Sequence, residues 1–451
     1  MLGSRKTLDE CLSTFRGEVS VLIGVLAFTL TALAVSASAT AASKPRIDSP
    51  RIEHLWADVQ GGDSEATTRF WQESIGRTPL VEFVPPQNAG FFKATFLWRG
   101  TPQTVSVALQ GGPPAPEGKK DLQHLPGTDV WYWTEQLPMD SRFGYSFVVR
   151  EQLAGASSAA SREETDPLNP TTFEGDSVAE LPLAPTQHWL EPLSGVDKGT
   201  ITAYNLYSRI LGEERPLSVY TPANYRSVGP TYRLLVIFDG DKYLTSIPTS
   251  TILDNMVAKQ SSRPVIVVFI PGNLKDTMGR PTRTRDLTCN RDFADYIVDE
   301  IVPWVRKKYR VSRLPADVAV AGESLGGLQA TYVAFLRPDV FGTVISFSGS
   351  YFYFRGWPSF EATVSTQTGW LIHEFAATRR RRLKLYLATG TFEGEGVKEN
   401  RRMRDVLTAK GYTFAYKEYN GGHERLNWRG ILPEALLWWN RSSAGPRSRT
   451  P

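Results

Sequence analysis

The chain has 451 residues, 51 of them Lys or Arg and 47 Asp or Glu, for a net charge of +4. This length accommodates two hydrophobic cores, and the near balance of charge excludes a surface built for nucleic acid, which needs a clear basic surplus. With 41% hydrophobic and 22% charged residues, the composition also excludes bulk disorder.

At the N-terminus, Arg5, Lys6 and Arg16 precede the apolar run from Val19 to Val35, and "SASATAAS" follows it. A positive start, an apolar centre and small-residue A-x-A sites predict a secretory signal peptide over residues 1–41, cleaved after Ala39 or Ala41. The mature protein is then periplasmic or secreted, without stable membrane association. An uncleaved anchor is the competing reading, because the apolar run is nearly long enough to span a bilayer. Cys11 leaves with this segment and Cys289 remains alone, so no intramolecular disulfide is expected. Export without disulfides suits a bacterial periplasm or cell surface.

Residues 42–68 read as an N-terminal segment. From 69 to 150 the runs "FFKATFLWRG", "QTVSVALQ", "DVWYWTEQL" and "FGYSFVVR" alternate apolar with polar residues between Gly-, Pro- and Asp-rich turns, which predicts a β-sandwich domain. Residues 151–198 have the small, polar and Pro-containing composition of a linker. From 199 to 441, "RPLSVYT", "YRLLVIFDG", "RPVIVVFIPG", "ADVAVAG", "GTVISFSG", "LKLYLATG" and "TFAYKEY" read as strands alternating with helical text. In "RDFADYIVDEIVPWVRKKY", Phe293, Tyr296, Ile297, Ile301, Trp304 and Val305 form one apolar face, and Asn290 stands where a helix N-cap belongs. Strand and helix in alternation predict an α/β domain with a mostly parallel sheet. Residues 442–451 are a C-terminal tail.

Within this domain "AVAGESLGGLQA" places Gly322-Glu323-Ser324-Leu325-Gly326 between a buried strand and a helix. G-x-S-x-G in that setting is a nucleophile elbow, whose neighbours two residues either side must be small for the backbone to double back. The expected architecture is an α/β-hydrolase catalytic domain preceded by an N-terminal β-sandwich. A serine needs a base. Of the histidines beyond residue 200, His373 lies inside a predicted helix, whereas His423 follows a strand and two glycines, where an α/β-hydrolase carries its base. The third member is a carboxylate on the loop after the preceding strand, where Glu393, Glu395 and Glu399 are available and Glu393 is nearest the strand end. The backbone N–H groups of Leu325 and Asp241 are the candidate oxyanion donors.

"GESLGG", "GTFE", "GGHERLNWR" and "DLTCNRDF", with "RFWQE", "TPLVEF", "TFLWRG", "LPGTDVWYWTEQLP" and "DPLNP" upstream, resemble the enterochelin esterases, esterase-D-like α/β-hydrolases that cleave siderophores. The resemblance spans residues 69–438 and includes the sandwich. It implies hydrolysis of the trilactone of ferric enterobactin or a related catecholate siderophore, with Ser324 as nucleophile, His423 as base and Glu393 as acid. Two departures stand out: many members carry Asp where this chain has Glu424, and the best-known members act in the cytoplasm.

An iron(III) tris-catecholate is a trianion, so its pocket is expected to concentrate positive charge. Arg283, Arg285, Arg425 and Arg429 lie in loops expected at the carboxyl edge of the sheet, and Trp428 and Trp131 are candidates for stacking on catechol rings. The Arg379–Arg382 run reads as a solvated helix end. No cofactor is called for, and iron arrives with the substrate. The rival readings are a feruloyl or acetyl esterase acting on polysaccharide, a cell-envelope acyltransferase, and a non-catalytic siderophore-binding protein, which would have no use for an activated serine.

Overall fold

The computed structural model describes residues 47–83, 90–115, 119–152, 155, 158–276, 278–354 and 369–442. The expected signal peptide lies outside them, and among the described residues no helix is long and apolar enough to cross a membrane.

Period-two alternation in the first part of the chain produces two antiparallel sheets. One has the order β1 (Leu80–Phe83), β2 (Phe91–Arg99), β5 (Val130–Pro138), β4 (Gln123–His124). The other has the order β3 (Thr104–Gly111), β6 (Arg142–Glu151), β9 (Asp176–Glu180), β8 (Thr172–Phe173), with β7 (Ala160–Glu164) also paired to β6. Ala94, Phe96 and Trp98 of β2 meet Phe143, Tyr145, Phe147 and Val149 of β6 in one core. Edge-to-face contacts at 4.9 Å (Phe96–Tyr145) and 5.5 Å (Trp98–Phe147) fix how the two sheets seat.

One expectation is corrected here, and another is filled in. The segment read as a linker contains β7, β8 and β9: β7 is an exposed strand that needs no apolar alternation when its backbone pairs with β6, β8 has two residues paired with β9, and β9 pairs with β6 and buries only Ser177, Val178 and Ala179, too short an apolar run to stand out. Residues 42–68, read only as an N-terminal segment, are helical in part. Ser49 caps helix α1 (Pro50–Gln60), and α1 with α2 (Ala66–Ser74) covers the outer face of the first sheet through Ile52, Leu55, Phe70 and Trp71.

The catalytic domain holds an eight-stranded sheet in the order β10 (Thr200–Ser208), β11 (Glu213–Thr221), β13 (Val265–Ile270), β12 (Arg233–Phe238), β14 (Val318–Glu323), β15 (Thr343–Phe347), β16 (Lys384–Gly390), β17 (Thr413–Tyr419). From β13 to β17 neighbouring strands are parallel, while β10 and β11 are antiparallel. Strands β12 to β15 are buried on both faces, which is why they read as unbroken apolar runs. Helices α3 (Thr249–Ala258) and α10 (Arg425–Ser442) pack on one face through Ile252, Met256, Leu432 and Trp439. The other face carries α4 (Arg283–Leu287), α5 (Arg291–Asp295), α6 (Val302–Lys308), α7 (Leu325–Leu336), α8 (Trp370–Ala377) and α9 (Glu395–Ala409). The helix expected after Asn290 is there, with Asn290 Oδ1 accepting from the Phe293 N–H at 3.0 Å. It widens into a π turn over Tyr296–Ile301, directly before Pro303.

Candidate active site

Three neighbouring strands end in residues forced into the left-handed region: Asp239 after β12 (φ 54°), Ser324 after β14 (φ 56°) and Ser348 after β15 (φ 48°). Positive φ at non-glycine residues is a strain that clusters at functional sites. At Ser324 the glycines explain how the turn is possible. A Cβ on Gly322 would lie 2.3 Å from the carbonyl carbon of Gly326, so the strand and the helix start can touch only without side chains. The Ser324 N–H donates to the Phe347 carbonyl at 2.9 Å, and its Oγ lies 3.3 Å from Ser350 Oγ.

Ser324 and His423 line one cavity of about 550 Å³. His423 stands on the loop between β17 and α10, and its Nδ1 is 2.8 Å from Glu393 Oε2. The other carboxylate oxygen of Glu393 accepts from the Gly390 N–H (2.6 Å), Ser348 Oγ (2.6 Å) and Tyr419 OH (3.3 Å), so the buried carboxylate has one fixed orientation. Sequence left three glutamates open. Here Glu395 pairs with Lys398 on α9, Glu399 with Arg402 at 2.7 Å, and Glu393 alone of the three meets His423.

Trp428 lines the cavity, but only a small part of it is exposed there. It is buried, its Nε1 donates to Tyr419 OH at 2.7 Å and Ser348 Oγ at 3.1 Å, and its ring meets His423 edge-on at 5.0 Å. Burial also holds the Tyr419 hydroxyl far above its ordinary range, keeping it a donor. Ser348 and Tyr419 escaped sequence reading. The only signal was the serine of "SFSGS" directly after a strand, and nothing local marks the tyrosine. Trp131 lies away from the cavity, in the sandwich, against His124 at 4.9 Å.

For the oxyanion donors, the Leu325 N–H stands at the first position of α7, where helix geometry offers no partner. In the turn after β12, the Gly240 N–H donates to Ile270 O (2.8 Å) and the Lys242 N–H to Asp239 O (2.9 Å). Among the described residues the Asp241 N–H has no partner, while its carboxylate accepts from the Gly272 N–H at 2.8 Å.

The expected concentration of positive charge is corrected. Arg283 lines the cavity but is bound bidentate to Asp239 at 2.6 and 2.7 Å. Arg425 also lines it, with Nη2 2.5 Å from Glu323 Oε1 and Nη1 3.3 Å from Glu174. Arg285 is held by Glu213 and Asp286 outside the lining, and Arg429 sits behind it, bonded to Gln187 at 2.9 Å and stacked on Phe173 at 4.4 Å. Glu174, Asp176, Asp239, Asp241, Glu323 and Glu424 line the cavity against Lys242, Arg283 and Arg425. Burial pushes the Glu323 carboxyl up to about 8, against the pull of Arg425, and Glu424 up to about 7. Among the described residues Lys242 is the lining cation with no carboxylate partner.

A serine in a strained strand-to-helix turn and a histidine on the loop after the last strand of a mostly parallel sheet, both lining one cavity, mark the α/β-hydrolase class. The family described as "Putative esterase" matches residues 208–439, and the family described as "Enterochelin esterase, N-terminal" matches residues 93–190. The chain belongs to the enterochelin esterase family. It is 29% identical to the iron(III) enterobactin esterase of Dickeya dadantii over 83% of this chain and 93% of that one. It is 27% identical to the iron(III) salmochelin esterase of Escherichia coli over 85% of this chain and 96% of the other. The crystal structure of the Shigella flexneri enterobactin esterase in the presence of enterobactin superposes with a TM-score of 0.63 at 26% identity, covering 83% of this chain and 98% of that one. The likeness therefore runs through both domains.

Proposed function

We propose that this esterase hydrolyses the lactone esters of ferric enterobactin or a related catecholate siderophore through a Ser324–His423–Glu393 triad. The observation that carries the reading is the 2.8 Å bond between His423 Nδ1 and Glu393 Oε2, with His423 and Ser324 lining one cavity. Likeness to siderophore esterases across both domains supports the substrate class.

The Glu393 carboxylate holds the proton on Nδ1, so Nε2 is the base that takes the Ser324 proton as Oγ attacks the ester carbonyl. The developing oxyanion lies between the Leu325 and Asp241 N–H groups. Collapse of the tetrahedral intermediate breaks the C–O bond, and His423 returns the proton to the departing alkoxide. Water, activated by the same imidazole, then releases the acyl group from Ser324. Lys242 supplies attraction for an anionic substrate at the cavity wall. Residues 1–41 support export, which cell fractionation and sequencing of the mature N-terminus would test.

The direct test is turnover of enterobactin, iron-loaded and iron-free, by the wild type beside Ser324→Ala, with chromatography of released dihydroxybenzoylserine. Serine-dependent release is expected. No release alongside serine-dependent cleavage of an aryl ester would overturn the substrate, and indifference of both to Ser324→Ala would overturn the nucleophile.

A further inference from the structure

The loop that carries His423 is bonded on one side to a different domain. Asn420 Nδ2 donates to Asp140 Oδ1 at 2.7 Å, and the Asn420 carbonyl accepts from the Arg142 N–H at 2.9 Å. Asn427 Nδ2 donates to the Arg142 carbonyl at 2.8 Å, and Gln187 Nε2 to the Leu426 carbonyl at 2.7 Å. Between these, Glu424 Oε2 accepts from the Gly144 N–H of β6 at 2.7 Å, and Arg425 meets Glu174 in the β8–β9 turn. Loops of this kind are ordinarily the mobile part of an α/β domain, and a base displaced by about 1 Å from its nucleophile can cost on the order of 100-fold in rate.

We infer that the sandwich domain is part of the catalytic apparatus, positioning the His423 loop through strand β6, and that Glu424 is the positioning residue of that contact. Glu424 is adjacent to His423 in the chain and reaches the other domain with its own side chain, so a change there passes to the imidazole through one peptide unit. The inference rests on reading His423 as the base.

The experiment uses the full chain, a small aryl ester, and three variants: Glu424→Ala, Glu424→Gln and His423→Ala. Glu424→Ala is expected to lower kcat by roughly 10- to 100-fold, well beyond any change in KM, because the position of the imidazole is lost. Glu424→Gln keeps an oxygen that can accept from Gly144 and should return kcat to within about threefold of wild type. Amide hydrogen exchange over residues 420–427 should quicken in Glu424→Ala and stay slow in Glu424→Gln. Wild-type kcat in Glu424→Ala, or a loss that Gln does not rescue and that leaves loop exchange unchanged, overturns the inference. If His423→Ala keeps wild-type kcat, the base assignment itself falls and the inference with it. Should Glu424→Ala fail to fold, Asn427→Ala, which removes the bond to Arg142, is expected to show the same split between kcat and KM, and an unchanged kcat there overturns the inference.

Discussion

Ser324 and His423 reach the same cavity by opposite means. The serine is placed by its own neighbourhood: a buried strand, two glycines and the first turn of α7 force it to φ 56° within a few residues. The histidine is placed from far away, by Glu393 on another loop and by β6 of the sandwich, some 280 positions earlier in the chain. A nucleophile can be built from a local motif because its requirement is exposure on a rigid turn. A base must hold a direction, and direction on a surface loop has to be imposed from outside.

The contrast is tested most severely at the residues themselves. Ser324→Ala should lower ester turnover by on the order of 10⁴-fold or more, read as kcat with any ester the wild type cleaves, and a small effect would remove the local half of the contrast. Glu393→Gln should cost on the order of 10²- to 10⁴-fold in kcat, whereas Glu395→Gln and Glu399→Gln stay within about twofold. Equal activity in all three would break the distant half.

Glu424 sharpens the contrast through pH. Its folded-state value of about 7 lies above its ordinary 4.5, so between these pH values the folded chain binds more protons than the unfolded one, and stability falls as pH rises through that window. The Glu424 share of that loss should be on the order of 3 kcal/mol, and Glu424→Gln should remove that share while leaving the one from Glu323, whose carboxyl is also raised, to about 8; urea unfolding of both chains at the two ends of the window decides. Trp428→Phe deletes the donor to Ser348 and Tyr419 and should cost roughly 1–2 kcal/mol in thermal unfolding with about a tenfold loss of kcat. The smallest effect concerns charge. Lys242→Gln should raise KM for an anionic siderophore severalfold at low salt, while Arg285→Gln, held outside the cavity, should leave it unchanged.

Parts of this site were legible because their physics is local. The G-x-S-x-G turn, the glycines before His423 and the Asn290 cap each satisfy a constraint within a few residues, and all are where their spacing places them. Glu393 stayed one of three candidates because loop carboxylates look alike until α9 starts at Glu395 and carries the other two onto a helix. The arginines misled for a related reason. Sequence displays cations, but whether Arg283 faces substrate or Asp239 depends on a residue 44 positions away. Strands β7 to β9 read as linker because β7 is exposed and borrows its order from a partner's backbone, while β8 and β9 are too short to show a period.

By itself, then, the sequence determined an α/β-hydrolase domain behind a strand-rich one and the candidates for nucleophile and base, since strand periodicity and turn chemistry act over a handful of residues. Tertiary structure decided which glutamate holds the histidine, which cations are already neutralised, and that the sandwich reaches into the catalytic loop. Those are relations between residues brought together by packing, and nothing in the local text of either partner carries them.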